Sequence, residues 1–158
     1  MTPAIELVRH HCIAHIIHEY QHDPASSAYG REAIEKLAVD QERVFKTLIV
    51  DLGKRRLAVA IIPALAMLSL KLTAKSFGSK KAVMADATDV LRSTGFVLGG
   101  VSPLGQRRLL PTLLDQSANQ FDTIYVSAGR RGLEIEMSPN DLVSLSRGKF
   151  AEIAETHH

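Results

Sequence analysis

Apolar and polar residues along the chain form short segments with two different periods. Runs of branched and aromatic residues predict strands at 13–20, 44–50, 56–62, 109–115, 123–127 and 133–137, with a short one within 80–85. Helical spacing of apolar residues, each behind a Ser, Thr or Asp in most cases, predicts helices after Thr2-Pro3 and at 31–39, 69–77, 86–93 and 139–145. More of the predicted strands are connected by tight turns than by helices. We therefore expect an α/β (α+β) chain with a mixed, largely antiparallel, barrel-like sheet and helices packed outside it.

Composition places this pattern in one compact domain. The chain has 158 residues, 46% of them hydrophobic and 23% charged, which is ordinary for a globular domain of this size. It lacks an apolar run long enough to span a membrane, and "MTPAIELVRHH" does not resemble a secretory signal. The single cysteine, Cys12, excludes an intramolecular disulfide and fits a cytoplasmic location. A net charge of +2 says little about polyanions, and the four short basic clusters are typical of solvated turns and helix ends.

Four histidines, at positions 11, 15, 18 and 22, have a spacing that on one helix would form a stripe suited to zinc, with Cys12 beside it. The branched residues among them favour a strand instead, in which His15 and His18 point to opposite sides. We therefore expect neither a metal site nor a cofactor.

Lys46 lies within the predicted strand "VFKTLIV". Alternation places it on the same face as Leu48 and Val50, where a lysine is costly unless it pairs, shifts its pKa or reaches water. Two interpretations stay open at this point: an edge-strand lysine whose ammonium is solvated, and a cation held at a pocket to meet an anionic or polar ligand.

Two glycine-rich turns, "GGVSPLG" at 99–105 and "VSAGRRG" at 126–132, contain more glycine than a tight turn requires. Neither matches a P-loop or a dinucleotide fingerprint, but their backbone N–H groups could accept a carbonyl oxygen or a phosphate. Ser102 and Ser127 lie in these turns without a GxSxG elbow, which argues against a serine nucleophile.

Several segments together resemble the YbaK family, the free-standing relatives of the editing domain inserted in bacterial prolyl-tRNA synthetase. These segments are "FKTLIV", "KLTAKSFGSKKAVMAD", "STGFVLGGVSPLGQRR" and "TIYVSAGRRGLEIEM". The likeness spans nearly the whole chain, so we expect one such domain over residues 1–156, with 157–158 a tail or a tag remnant. It implies an aminoacyl-tRNA deacylase that clears cysteine from Cys-tRNA(Pro), and from Cys-tRNA(Cys) more broadly, with prolyl-tRNA synthetase as the partner that recruits it. An alanine-directed deacylase and a non-catalytic module that binds the tRNA end stay open as alternatives.

The resemblance also implies roles for individual residues. Lys46 would position the terminal nucleotide, and the loop at Gly99 and Gly100 would hold the aminoacyl ester. The residues expected to line the same pocket and bind substrate are Tyr20, Thr47, Ser102, Ser127 and Glu134. The chemistry suggested for the family uses the thiol of the substrate as nucleophile. Two positions depart from the family pattern: Ala128 replaces a frequent glycine, and Glu134 replaces the aspartate of some members.

Overall fold

The computed structural model describes residues 1–26 and 29–155. The tail expected at 157–158 and the expected domain boundary at residue 156 lie outside these residues. The described part contains five α-helices: α1 (Pro3–His10), α2 (Tyr29–Leu37), α3 (Leu70–Ser76), α4 (Ala87–Thr94) and α5 (Pro139–Ser146). It contains eight strands: β1 (His15–Glu19), β2 (Phe45–Asp51), β3 (Leu57–Pro63), β4 (Val83–Met84), β5 (Thr112–Asp115), β6 (Ile124–Arg130), β7 (Leu133–Met137) and β8 (Lys149–Ala151).

The helices begin where short polar side chains can accept a free backbone N–H. The Thr2 hydroxyl accepts from the Ile5 N–H at 3.2 Å, and Pro3 occupies the first turn, where its missing donor costs nothing. Ser69, Asp86 and Ser138 cap α3, α4 and α5 in the same way. The predicted helix starts are therefore confirmed to within about two residues, the usual uncertainty of such boundaries.

The strands form two sheets. Strands β1, β7 and β6 make an antiparallel sheet of three, and the order β4-β2-β3-β5-β8 makes a sheet of five. The pairs of β2 with β3 and β4 are antiparallel, whereas β3 with β5 and β5 with β8 are parallel. A parallel bridge between Val44 and Tyr125 joins the two sheets. The structure confirms the mixed, largely antiparallel architecture, with the strands divided between two connected sheets.

The main hydrophobic core takes side chains from both sheets and from α1, α4 and α5, for example Ile61, Ile135 and Leu142, which are fully buried. A smaller cluster under α2 joins Ala33, Val44, Ala64 and Tyr125, at the junction of the two sheets. Packing α2 against this junction places its first turn beside Ala64, directly after β3, where a Cβ on Gly30 would come within 2.5 Å of Ala64 Cβ. Among the described residues, every helix is too short or too polar to cross a membrane.

Candidate active site

A cavity of about 530 Å³ opens at the junction of the two sheets. Its walls come from β2, the edge strand β4, the first turn of α2, the segments after β1, β3 and α4, and the β6–β7 hairpin. The predicted site residues that line it are Tyr20, Lys46, Thr47, Gly99, Ser127 and Glu134. Six residues from five separate parts of the chain are thus brought to one place.

Lys46 lies on β2, opposite Ile62 of β3, on a partly buried stretch of the strand. Burial lowers the pKa of its ammonium from the ordinary lysine value. Within residues 1–26 and 29–155 it forms no ion pair. A desolvated cation on a cavity wall is well placed to receive a phosphate or ribose oxygen.

Among the residues that the structure describes, two buried oxygens in the cavity wall form no hydrogen bond, Thr47 Oγ1 and Glu134 Oε2. Buried polar atoms are paired in most proteins, so such atoms often mark a place where a ligand binds. Burial raises the pKa of Glu134 to about 8. Glu134 lies directly opposite Ser127 in the β6–β7 pair, which brings a carboxyl and a hydroxyl to the same wall.

Tyr20 follows β1 and is held by its backbone N–H, which donates to Gly132 O at 2.9 Å. Burial, and next the nearby Glu134 carboxylate, raise the pKa of the Tyr20 phenol to about 12. The phenol therefore stays protonated at any physiological pH and can act as a hydrogen-bond donor in the cavity.

The glycine loop contributes less of its backbone than expected. Gly99, with φ +84°, lines the cavity, and neither its N–H nor that of Val101 bonds to the described part of the chain. The Gly100 N–H is used inside the turn, where it donates to Val97 O at 3.0 Å. Gly100 is buried outside the cavity, and a Cβ there would approach Arg130 Cα to 3.2 Å. Gly100 therefore lets the loop pack on the β6–β7 turn, and Gly99 and Val101 are left to face a ligand.

The two serines lie in different environments. Ser102 is fully buried away from the cavity, and its hydroxyl accepts from the Leu104 N–H at 3.2 Å. Ser127 lines the cavity, and its hydroxyl accepts from the Gly129 N–H at 3.1 Å. Positive φ falls at Gly129, not at Ala128, in agreement with the expectation that residue 128 does not need a glycine.

Two arginines that we did not single out from the sequence also line the cavity, Arg31 at the start of α2 and Arg131 in the β6–β7 turn. Arg131 approaches His22 Nε2 and Leu98 O at 3.4 Å each. For Arg131 the only sequence signal was the "GRRG" cluster at 129–132, which is also typical of a solvated turn.

A buried carboxylate connects α2 to the segment that carries Tyr20. Glu32 accepts from His22 Nδ1 at 2.5 Å and from the Asp23 N–H at 2.9 Å, and it pairs with Lys36 at 3.3 Å. Burial alone would raise the pKa of Glu32, but these hydrogen bonds lower it on balance. These contacts of Glu32 hold the first turns of α2 against the segment that follows Tyr20, at one edge of the cavity.

The histidines do not form one cluster. His15 contacts Ile13 O, His18 contacts Glu136, and His22 contacts Glu32. Strand β1 separates them as the alternation predicts. Across residues 1–26 and 29–155, no group of three or more His, Cys, Asp or Glu side chains is suited to a metal ion.

Comparisons with known proteins define the class of this fold and site. Residues 22–145 match the model of the aminoacyl-tRNA editing domain. The chain belongs to this family, and its activity is that of an aminoacyl-tRNA deacylase. The "Putative Cys-tRNA(Pro)/Cys-tRNA(Cys) deacylase EbsC" of Enterococcus faecalis is 38% identical over 153 residues, which cover 96% of this chain and 92% of that protein.

Other similarities agree with this family. The "Uncharacterized protein YwhH" of Bacillus subtilis is 31% identical over 124 residues, 78% of each chain. A solved structure titled "Crystal structure of a putative trans-editing enzyme for prolyl tRNA synthetase" has a TM-score of 0.81 at 21% identity and covers 99% of both chains. Because the sequence identity is low, this structural similarity is evidence for the fold alone.

Proposed function

We propose that this protein is a trans-editing deacylase that clears cysteine from Cys-tRNA(Pro), and from Cys-tRNA(Cys). The observation that carries the proposal is the composition of the cavity wall: within the described part of the chain it has the Lys46 ammonium, two polar atoms without a partner and unbonded loop amides, but no convincing nucleophile. The Ser127 hydroxyl is the best candidate for a protein nucleophile, but no histidine is among the described residues that line the cavity and could activate it. A reaction that needs only binding and orientation fits such a wall.

The thiol of the substrate supplies the missing nucleophile. The cysteine sulfur attacks its own ester carbonyl, a C–S bond forms, and the bond from the carbonyl carbon to the ribose oxygen breaks. The products are a four-membered cyclic thioester and free tRNA, and the thiol proton ends on the ribose oxygen by way of solvent. Bringing sulfur and carbonyl together is the main catalytic task, because the two groups already belong to one molecule.

Each end of the substrate then has a partner on the wall. The α-ammonium group lies against Glu134 and donates to Oε2, so that binding favours the ionised carboxylate over the protonated form that burial favours in the empty cavity. The N–H groups of Gly99 and Val101 hold the ester carbonyl as negative charge develops. Lys46 contacts the terminal phosphate or ribose. Thr47 and Tyr20 limit the space available to the side chain of the substrate cysteine.

We also propose that prolyl-tRNA synthetase delivers the substrate. A net charge of +2 gives little long-range attraction for a whole tRNA, so a partner that already holds the tRNA would compensate. Cysteine and proline are similar in size, which is the situation in which a second, editing site is needed. This assignment places the protein in the cytoplasm with the translation machinery.

Deacylation of cysteinyl, alanyl and seryl esters of proline tRNA tests the proposal. We expect rapid loss of cysteine and slow loss of serine, because a hydroxyl is far less acidic than a thiol. Preferential release of alanine would replace the proposal with an alanine-directed deacylase. Tight binding without release of any amino acid would indicate a non-catalytic module.

A further inference from the structure

The mouth of the cavity is lined by exposed apolar side chains. Leu65, Met67, Met84 and Leu98 are 44%, 59%, 48% and 50% exposed, and all four line the cavity. They come from three separate segments: the turn after β3, the edge strand β4 and the residue directly before the glycine loop. We call these four residues the apolar collar. Large apolar side chains that converge at one opening are typical of a surface that binds something.

Cations lie among and beside the collar residues. Arg31 and Arg131 line the same cavity, and Arg131 Nη2 donates to the carbonyl of Leu98 itself at 3.4 Å. The exposed Lys80 and Lys81 lie two to three residues before β4, which carries Met84. The nearby Asp86 carboxylate is used as the cap of α4. The mouth therefore combines apolar contact area with positive charge.

This combination is suited to unpaired nucleotides. Bases present flat apolar faces, and the backbone that joins them carries one negative charge per phosphate. A protein partner would need complementary acidic groups for Arg31, Arg131 and the two lysines, whereas a single RNA strand brings both apolar and anionic groups at close spacing. A paired stem hides its bases from such a surface.

We propose that the apolar collar binds the unpaired nucleotides that precede the terminal adenosine, with the flanking cations on their phosphates. The inference rests on the proposed function, which places the terminal adenosine and its ester inside the cavity. It adds a subsite of defined chemistry, a short single-stranded RNA segment just outside the reacting centre. The collar would then distinguish a tRNA end from a small aminoacyl ester.

The test uses uncharged RNA, so that it does not depend on catalysis. Two fluorescent hairpins share one stem, and one of them has four unpaired nucleotides at its 3′ end. Fluorescence anisotropy should show that the protein prefers the hairpin with the unpaired end by about tenfold, the effect expected from contact with one or two bases. The double variant Met67→Ser/Leu98→Ser should lose most of this preference.

Matched controls keep the outcome interpretable. Leu109 and Ile16 are 64% and 56% exposed and do not line the cavity, so Leu109→Ser/Ile16→Ser should keep the preference. Met67→Leu/Leu98→Met should keep it as well, because the apolar area is retained. Lys80→Gln/Lys81→Gln should weaken binding and reduce its salt dependence. Thermal melts confirm that each variant is folded.

Two results would overturn the inference: equal affinity of the protein for both hairpins, or an undiminished preference in Met67→Ser/Leu98→Ser. Loss of binding to prolyl-tRNA synthetase in that variant, with the RNA preference intact, would assign the collar to a protein partner instead. Deacylation of cysteinyl-adenosine is measured separately on the same protein. Failure of that reaction contradicts the proposed function, while the hairpin comparison still decides the collar.

Discussion

Among single side chains, Lys46 is the one whose environment is hardest to explain by folding alone. Its pKa is lowered by burial, so the folded state disfavours the charged form relative to the unfolded chain. At neutral pH the charge therefore opposes folding, and removing it should leave the thermal midpoint unchanged or raise it.

We predict that Lys46→Met lowers kcat/KM for cysteinyl-tRNA by about a hundredfold or more, the usual effect of removing one charge-stabilising contact. Methionine keeps the apolar stem and removes only the ammonium. Lys75→Met, an exposed lysine near the end of α3, is the matched control and should retain normal turnover. Near-normal activity of Lys46→Met would remove this residue from the site.

Glu134 gives a prediction about pH and stability. Its pKa is about 8 in the folded protein, raised by burial above the ordinary carboxyl value of 4.5. Between these values the folded state holds a proton that the unfolded chain has lost, so the contribution to stability is present below pH 4.5 and is lost as pH rises through 8. Glu134→Gln carries no such charge. The melting temperature of this variant, relative to that of the wild type, should therefore rise as the pH increases from 5 to 9. Parallel pH profiles of the two proteins would contradict the buried, unpartnered carboxyl.

At the scale of elements, the glycine loop depends on a backbone conformation that side chains disfavour. Gly99 has φ +84° at the cavity wall, and Gly78 has φ +71° after α3 with open space around it. Alanine at either position should cost roughly 1–2 kcal/mol of stability, because left-handed backbone crowds a Cβ. Melting curves should show similar losses for both variants, and deacylation assays should show a large further loss for Gly99→Ala alone. Equal activity of the two variants would mean that the Gly99 amide does not meet the substrate.

The helices and most strands could be predicted because their signals are local. Caps such as Thr2 and Ser138, and runs of apolar residues such as those of β2 and β3, depend on neighbouring residues only. Strand β8 was missed because its three residues are exposed or half-buried and its partner β5 is distant in sequence. The division into two sheets depends on long-range pairing, including the Val44–Tyr125 bridge, that no local pattern shows.

The candidate site could be predicted from the sequence only in part. Six residues expected in the pocket do line one cavity, whereas Ser102 and Gly100 lie behind the loop and shape it. Residue type and a resemblance cannot tell a loop residue that faces the ligand from one that supports the turn. Arg31 and Arg131 were missed because an exposed cation has the same sequence signal on a wall as on a solvated helix end.

At the scale of the whole molecule, two sheets meet at the bridge between Val44 and Tyr125, and the cavity opens at that junction. Helix α2 closes one side and the glycine loop the other. A rigid surround of this kind suits a reaction in which the protein orients one molecule and supplies no covalent intermediate.

Cys12, at φ +54° after α1, does not line the cavity, so Cys12→Ala should keep normal turnover.

Whether the substrate supplies the nucleophile is decided by comparing two esters. Cysteinyl and S-methylcysteinyl esters of the same proline tRNA differ by one methyl group on sulfur, which blocks attack while leaving the ammonium, the ester and the tRNA end intact. The cysteinyl ester should be cleared at least about a hundredfold faster, because methylation removes the internal nucleophile and the described residues of the cavity wall supply no convincing replacement. Equal rates for the two esters would contradict it and assign the reaction to an activated water.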